Sequence, residues 1–145
     1  MEHKKLIQAA LEARIFSYSP YSGFAVGAAL LCEDGSVYTG CNIENAAFTP
    51  TNCAERTAFF KAVSEGKRRF KAVAIVGGLA EKEPETLCSP CGVCRQVMME
   101  FCCPQDFLVI LGRADLSFEE YRLCELLPLG FAGDGVKKSG EDKPV

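Results

Sequence analysis

The chain has 145 residues, of which 48% are hydrophobic and 24% charged, and its formal net charge is −3. These values predict one domain over residues 1–145, large enough to bury its own core. They exclude the overall basic surface expected of a protein that binds nucleic acid. The single basic run, Lys67 to Lys71, is typical of a solvated corner. No stretch of about 18 apolar residues occurs, so no membrane span is predicted.

The cysteine content is the unusual feature of the composition. Nine cysteines are an odd number, and the segment from Met1 to Ala13 is charged and amphipathic, unlike a signal peptide. Free or metal-bound thiols in a reducing compartment, the cytoplasm, are therefore expected rather than a disulfide framework. The only histidine is His3, so a zinc site in this chain would have to be built from cysteine.

The first third of the chain predicts a helix followed by a hairpin. Apolar residues at three- and four-residue spacing predict an amphipathic helix over 4–18, which Pro20 ends. A buried strand over 24–32, a turn at 33–36 and a second strand over 37–43 then predict a β-hairpin. The apolar face of the helix is predicted to contain Ile7, Ala10, Leu11, Ile15 and Tyr18.

The rest of the chain alternates helices and strands. Thr51 or Asn52 is predicted to cap one helix, which Gly66 ends, and Ser89 is predicted to cap the next. This order predicts an α/β protein with a mixed, about five-stranded sheet covered on both faces. The predicted elements are helix 53–65, strand 71–77, loop 79–87, helix 90–102, strand 107–111, strand 116–123, helical turn 124–127 and a loose tail from Gly133.

Two sequence blocks, CAER at 53–56 and PCGVCR at 90–95, carry the chemistry. They supply the thiols of Cys53, Cys91 and Cys94 and the carboxylate of Glu55, each block at the predicted start of a helix. Three ligands leave one position of a tetrahedral zinc open, which is typical of a catalytic site, whereas structural sites have four. The pattern C-x-E…P-C-x-x-C is the all-cysteine form of the zinc deaminase signature, in which the glutamate moves protons.

The charge of three thiolates needs a counterion. Helix N-termini lower thiol pKa values and favour the thiolate form. We expect Arg56, and with it Arg95, to donate hydrogen bonds to the thiolate sulfurs and to draw off part of their charge.

Other interpretations of these cysteines stay open at this point. A Cys-x-x-Cys pair at a helix start is also typical of redox-active dithiols and of structural zinc sites. Cys88, Cys91 and Cys94, followed by Cys103, weakly match the spacing of iron–sulfur ligands, although the last gap is too long. The joint presence of Glu55 and both blocks favours the zinc deaminase interpretation.

Five blocks also carry a family resemblance over about residues 4 to 131. On these blocks the chain resembles the small, all-cysteine, homotetrameric, zinc-dependent cytidine deaminases. The resemblance implies a three-layer α/β/α sandwich and the conversion of cytidine and deoxycytidine to uridine and deoxyuridine with release of ammonia, a step of pyrimidine salvage. The blocks are SGFAVG at 22–27, CNIENA at 41–46, CAERTA at 53–58, SPCGVCRQ at 89–96 and ELLP at 125–128.

The resemblance implies roles for individual residues. Cys53, Cys91 and Cys94 would hold one Zn²⁺ per subunit, with Glu55 as the proton carrier. The implied substrate contacts are Asn42, Glu44, Phe24, Ala54, Ala46 and Phe131.

Those substrate contacts divide by the part of the nucleoside they would touch. Asn42 and Glu44 would bind ribose hydroxyls, although without the family they are also ordinary turn residues. Phe24 would pack on the pyrimidine, and the backbone N–H of Ala54 would donate to the base carbonyl. Phe131 would stack on the base bound by a neighbouring subunit.

One residue departs from the family pattern. Phe48 stands where many relatives carry tyrosine, which puts a hydroxyl contact on the 5′ side of the sugar in doubt. Two alternatives to cytidine deamination remain: a deaminase of another aminopyrimidine nucleoside, and a structural zinc-binding interaction module. The module predicts a fourth ligand, for which Cys88 is the nearby candidate.

Overall fold

The computed structural model describes residues 1–133, so the tail predicted from Gly133 onward lies outside the described residues apart from its first residue. Five strands form one sheet in the order β2-β1-β3-β4-β5. Only the β3–β4 pair is parallel, and the other three pairs are antiparallel. The mixed five-stranded sheet is thus confirmed. The elements are α1 His3–Arg14, β1 Phe24–Cys32, β2 Val37–Cys41, α2 Ala54–Ser64, β3 Phe70–Leu79, α3 Gly92–Phe101, β4 Leu108–Gly112, β5 Phe118–Arg122 and α4 Leu123–Leu126.

Helices cover both faces of this sheet. The apolar side of α1 packs on one face through Leu6, Ile7 and Ala10, all essentially without solvent exposure. The opposite face carries α2 and α3, and the larger core lies between them and the sheet. The three-layer α/β/α arrangement is therefore confirmed. The largest residues of that core are Phe59, Phe107, Leu30, Ile75, Met98 and Leu123.

Two glycines let these helices lie directly against the sheet. A Cβ at Gly27 would stand 2.0 Å from the Ala10 carbonyl oxygen of α1, and a Cβ at Gly40 would stand 2.5 Å from the Ala54 carbonyl oxygen of α2. Both obstacles are backbone atoms that a side-chain rotation cannot remove. The absence of a side chain at Gly40 therefore fixes how closely the start of α2 approaches β2.

The first helix is shorter than predicted. It ends at Arg14, and Ile15 and Phe16 are 79% and 80% exposed, so the buried face predicted through Ile15 and Tyr18 is wrong beyond Leu11. The cause is a long-range pairing. Tyr18 forms a β-bridge with Ile43, in which the Tyr18 N–H donates to the Asn42 carbonyl oxygen at 3.0 Å. This pairing takes the backbone out of the helical conformation.

The predicted helix caps are also wrong. Cys53 is the N-cap of α2 and Cys91 is the N-cap of α3, instead of Thr51 or Asn52 and Ser89. The Cys91 sulfur accepts a hydrogen bond from the Cys94 N–H at 3.4 Å, which supplies the cap that a serine oxygen usually provides. The first cysteine of each block therefore lies at the N-terminus of its helix.

The topology brings these two helix starts together. Strands β2 and β3 run in the same direction on either side of β1, and α2 connects them. The parallel strands β3 and β4 are connected by α3 on the same face. Because helices that follow parallel strands begin at the same sheet edge, the N-termini of α2 and α3 meet beyond the carboxyl ends of β2 and β3.

Candidate active site

The thiols of Cys53, Cys91 and Cys94 form a cluster at the meeting point of the two helices. Their Sγ atoms all lie within 4.8 Å of one another, and those of Cys53 and Cys91 are 3.7 Å apart. Tetrahedral zinc with bonds of about 2.3 Å to sulfur holds its ligand atoms about 3.8 Å apart. The spacing and the soft thiolate donors therefore fit zinc. Among residues 1–133, no fourth ligand atom of a His, Cys, Asp or Glu joins the group.

Arg56 supplies a positive charge to the cluster. Its Nη2 donates to the Cys53 sulfur at 3.2 Å. The hydrogen bond from the Cys94 thiol, together with the Arg56 guanidinium, outweighs burial and lowers the pKa of Cys53 to about 5. Cys53 is therefore a thiolate at neutral pH, which is the form that binds a metal ion.

Arg95 does not reach the thiols in the way predicted for it. Its Nε donates to the Pro90 carbonyl oxygen at 2.8 Å and its Nη1 to the Leu126 carbonyl oxygen at 2.6 Å. Arg95 thus ties the residues before α3 to the end of α4, and it contributes to the position of the Cys91 block rather than to the charge of the sulfurs.

Glu55 is the buried acidic group of the site. It is 4% exposed, and burial raises the pKa of its carboxyl to about 7, with a further increase from the charge of Cys53. Cys53 and Glu55 converge although they are two residues apart, because the N-cap Cys53 has extended backbone angles, φ −75° and ψ 157°. A carboxyl that titrates near neutrality can both accept and deliver a proton.

Cys88 lies near the cluster without belonging to it. Burial raises the pKa of its thiol to about 11, and the charges of Glu55 and Cys53 add to this increase. Its sulfur packs against β3, where a Cβ at Gly77 would stand 2.7 Å away. Cys88 is therefore a protonated thiol at neutral pH and is not a fourth member of the group of ligand atoms.

Asn42 and Glu44 follow β2 in an extended segment, so their side chains share one face. The Asn42 amide is bonded to the start of β1, since Oδ1 accepts from the Val26 N–H at 2.9 Å and Nδ2 donates to the Phe24 carbonyl oxygen at 2.8 Å. The Glu44 carboxylate accepts the N–H groups of Tyr21 and Ser22 at 2.9 and 3.0 Å. Both side chains are thus held by the chain itself.

The other predicted contacts differ in exposure. Phe24 opens β1 and is partly exposed, and Ala46 is exposed in the loop after Glu44. Ala54 is buried in the first turn of α2. Phe131 is 65% exposed, and its carbonyl oxygen accepts a hydrogen bond from the Gln96 side chain at 2.8 Å.

Three polar residues in the segment after α1 were missed by sequence reasoning. The Ser22 hydroxyl donates to Glu44 Oε2 and holds the pKa of that carboxyl below its ordinary value. The Ser17 hydroxyl donates to Asn42 Oδ1 at 2.5 Å, and Ser19 lies beside it. Ser22 lies in the SGFAVG block, but for Ser17 and Ser19 the only sequence signal was the number of serines in this segment, which is equally typical of a loop.

A comparison with protein families matches residues 1–110 to the cytidine and deoxycytidylate deaminase zinc-binding region. The chain is 50% identical over 141 residues to the cytidine deaminase of Sporosarcina psychrophila, covering 97% of this chain and 99% of that one. It is also 50% identical over 136 residues to the cytidine deaminase of Halalkalibacterium halodurans, covering 94% and 98% of the two chains.

Solved structures give a matching result. The cytidine deaminase of Burkholderia pseudomallei superposes with a TM-score of 0.82 at 45% identity, covering 90% of this chain and all of that one. The cytidine deaminase of Mycobacterium tuberculosis gives a TM-score of 0.76 at 37% identity, covering 91% and 98%. Within the described residues, none of the helices has the length and apolarity to span a bilayer.

Proposed function

The chain belongs to the cytidine and deoxycytidylate deaminase family, and we propose on this basis that it is a zinc-dependent hydrolase that converts cytidine and deoxycytidine to uridine and deoxyuridine with release of ammonia. The observation that carries the proposal is the three-thiol cluster with the buried acid Glu55 beside it. The reaction breaks an exocyclic C–N bond of a cyclic amidine and belongs to pyrimidine salvage.

Cys53, Cys91 and Cys94 are the proposed ligands of one Zn²⁺ per chain. Zinc held by these three residues would supply the reaction with a water of lowered pKa. The chain provides three cysteine sulfurs near helix N-termini, where the helix dipole favours the thiolate form that a metal ion requires. Arg56 draws electron density from the Cys53 sulfur through its hydrogen bond at 3.2 Å, which would leave a bound ion a stronger Lewis acid.

Glu55 is the proposed catalytic acid and base. In its ionised form it takes one proton of the attacking water and delivers it to the ring nitrogen. It then takes the second proton, from the hydroxyl formed on the ring carbon, and delivers it to the amino group, which leaves as ammonia as the ring carbonyl forms. A carboxyl with a pKa near neutrality can do both at physiological pH. Its burial keeps bulk water from competing for the proton.

The nucleoside is proposed to lie between the thiol cluster and the segment after β2. The backbone N–H of Ala54, in the first turn of α2, would donate to the base carbonyl, and Phe24, the first residue of β1, would pack on the pyrimidine ring. Asn42 and Glu44 would bind the sugar, and Ala46 would contact the substrate beside them. A fixed amide and a fixed carboxylate at one face are suited to hydroxyl groups.

We propose a homotetramer as the working assembly, with one domain per chain. The exposed rings of Phe131 and Phe48 support it, because large exposed apolar groups are typical of interfaces. Phe131 would stack on the base held by a neighbouring chain. Phe48 presents no hydroxyl to the 5′ side of the sugar. All nine cysteines are free, which supports the cytoplasm as the place of action.

The two alternatives are less well supported. A deaminase of a base without a free ribose would not need both Asn42 and Glu44. A structural zinc module needs a fourth ligand, and the described residues offer none at the cluster, Cys88 included.

The direct test is a chromatographic assay of cytidine conversion with purified protein that has been loaded with zinc. Uridine and ammonia should form in equal amounts, formation should stop when a chelator removes the metal, and added zinc should restore it. A protein that holds zinc and forms no uridine would contradict cytidine as the substrate. A panel of other aminopyrimidine nucleosides would then separate the same-class alternative from the structural module.

A further inference from the structure

The Ser17 hydroxyl is hydrogen-bonded to the side chain of Asn42, which the proposed function assigns to the substrate site. The hydroxyl oxygen lies 2.5 Å from Asn42 Oδ1, 25 positions away in the sequence. A carbonyl oxygen has no hydrogen, so the serine is the donor. The Ser19 hydroxyl oxygen lies 3.3 Å from that of Ser17. Because Ser17 has a single hydroxyl hydrogen, which Asn42 receives, Ser19 is the donor in this longer contact.

The backbone around Ser17 is held at both ends. The Ser17 N–H donates to the Arg14 carbonyl oxygen at 3.1 Å, at the end of α1. The next residue, Tyr18, is paired with the backbone on both sides of Ile43 through two hydrogen bonds, one to Asn42 and one from Glu44. The hydroxyl of Ser17 therefore faces Asn42 because α1 ends where it does.

The orientation of the Asn42 amide is fixed by its partners. Val26 offers only an N–H, which requires the oxygen of the amide, and Phe24 offers only a carbonyl oxygen, which requires the nitrogen. Rotation of the amide by 180° would break both hydrogen bonds and the one from Ser17. The positions of the oxygen and the nitrogen in the Asn42 amide are therefore assigned by their hydrogen-bond partners.

The three hydrogen bonds leave the side chain of Asn42 with one hydrogen-bonding group for a ligand. Its oxygen has two lone pairs, which the Val26 N–H and the Ser17 hydroxyl occupy, and one of its two N–H bonds is used by Phe24. The group left over is a single N–H donor. Glu44, whose pKa is lowered by Ser22, remains ionised and can only accept.

We propose that Ser17 is a positioning residue for sugar recognition, since it closes the acceptor side of Asn42 so that the pair presents one N–H donor and one carboxylate acceptor. A hydroxyl group satisfies both at once: it accepts from Asn42 and donates to Glu44. A nucleoside whose sugar lacks the hydroxyl held by this pair should therefore gain nothing from Ser17. This inference rests on the proposed deaminase function.

The test compares deoxycytidine with 2′,3′-dideoxycytidine, which differ only in the 3′-hydroxyl. In Ser17→Ala, Asn42 loses one of the bonds that hold it, so KM for deoxycytidine should rise about five-fold, the value of one net hydrogen bond. The kcat should stay within about two-fold. Neither constant should change for the dideoxy substrate.

Two variants serve as controls. Ser17→Thr keeps the hydroxyl and should restore the KM of the parent protein. Ser19→Ala removes the neighbouring hydroxyl, which does not touch Asn42, and should behave as the parent does. Equal zinc content and equal thermal midpoints in all variants establish that the folded site is intact.

Two outcomes would contradict the proposal in different ways. If the parent converts deoxycytidine and Ser17→Ala has its KM unchanged, or has KM changed equally for both substrates, Ser17 does not position Asn42 for the sugar. If the parent converts neither cytidine nor deoxycytidine, the proposed deaminase function fails, and recognition of a sugar by Asn42 fails with it.

Discussion

The thiol cluster and the Asn42–Glu44 pair are built in opposite ways. At the cluster, Cys53, Cys91 and Cys94 leave three sulfurs pointing at one point, and their main partners are one another and Arg56. At the Asn42–Glu44 pair, the chain already satisfies most hydrogen-bonding positions of both side chains. The thiol cluster has sulfur lone pairs available for a metal ion. The Asn42–Glu44 pair is held in place and has one N–H donor and one carboxylate acceptor left for a ligand.

This difference matches what each end has to do. A metal site gains its free energy from strong ligand bonds, so the protein needs only to bring charged sulfurs together. Recognition of a neutral hydroxyl gains little from each hydrogen bond, so the protein fixes the bonding groups in advance and avoids the cost of ordering them. We therefore expect substitutions in the thiol cluster to abolish activity and substitutions around the Asn42–Glu44 pair to alter KM.

The largest effect is expected from loss of a ligand. Cys91→Ala should reduce the zinc content from about one ion per chain to near zero and abolish cytidine conversion, because two thiolates hold zinc poorly in place of three. Metal analysis after dialysis measures the first result. The matched control is Cys88→Ala, which removes the thiol next to the cluster and should keep both zinc and activity. Zinc lost from Cys88→Ala would instead indicate a closed four-ligand site.

A smaller effect is expected at Arg56. Arg56→Gln keeps a donor near Cys53 but removes the positive charge, so kcat should fall by about 10- to 100-fold, with weaker zinc binding in a chelator competition. Arg68→Gln is the control, since the Arg68 guanidinium bonds to the Val63 and Lys67 carbonyl oxygens at the other end of α2. Equal activity in the two variants would contradict the charge role of Arg56.

The smallest effect is expected at Ser22. The Ser22 hydroxyl and N–H bonds lower the pKa of Glu44, so the ionised acceptor persists to lower pH than in a free glutamate. Ser22→Ala removes the hydrogen bond from the hydroxyl and should move that pKa upward, toward the ordinary value of a glutamate. An NMR titration of the carbon-labelled carboxyl measures it. Ser19→Ala should leave the titration unchanged, and an unchanged Glu44 in Ser22→Ala would contradict the assignment.

The fold could be predicted from sequence wherever a local pattern decided it. The strand over 24–32 was predicted with the bounds it has, because nine consecutive apolar or small residues lie between a glycine and an acidic turn. The end of α1 could not be predicted in this way. The apolar period continues through Ile15 and Tyr18, but pairing with Ile43, a contact between distant parts of the chain, takes this segment instead.

The helix caps show a second limit. Ser89 and Thr51 have higher capping propensities than cysteine, and local propensity alone selects them. The chain uses Cys53 and Cys91 as N-caps, which brings the sulfurs to the helix mouths at some cost in capping strength. Two cysteines of one motif occupy N-cap positions that capping propensity assigns to other residues, and such a departure is itself a sign of function.

The chemical end of the site was accessible from the sequence, and the positioning groups were not. Each of the two cysteine blocks contains its reactive residues within three positions, so each block favours zinc chemistry, and the parallel strands bring the blocks together across 38 positions. Ser17 and Ser22 reach Asn42 and Glu44 across 25 and 22 positions. Such contacts depend on the path of the chain after α1, which no local pattern specifies.

The most direct test of the proposed mechanism is the rate of cytidine conversion by Glu55→Gln, with zinc content measured on the same sample. Glutamine keeps the volume of Glu55 but cannot carry a proton. The result we predict is a loss of about 10²- to 10⁴-fold in kcat with about one zinc still bound per chain. A variant that binds zinc and converts cytidine at the rate of the parent protein would show that Glu55 is not the proton carrier.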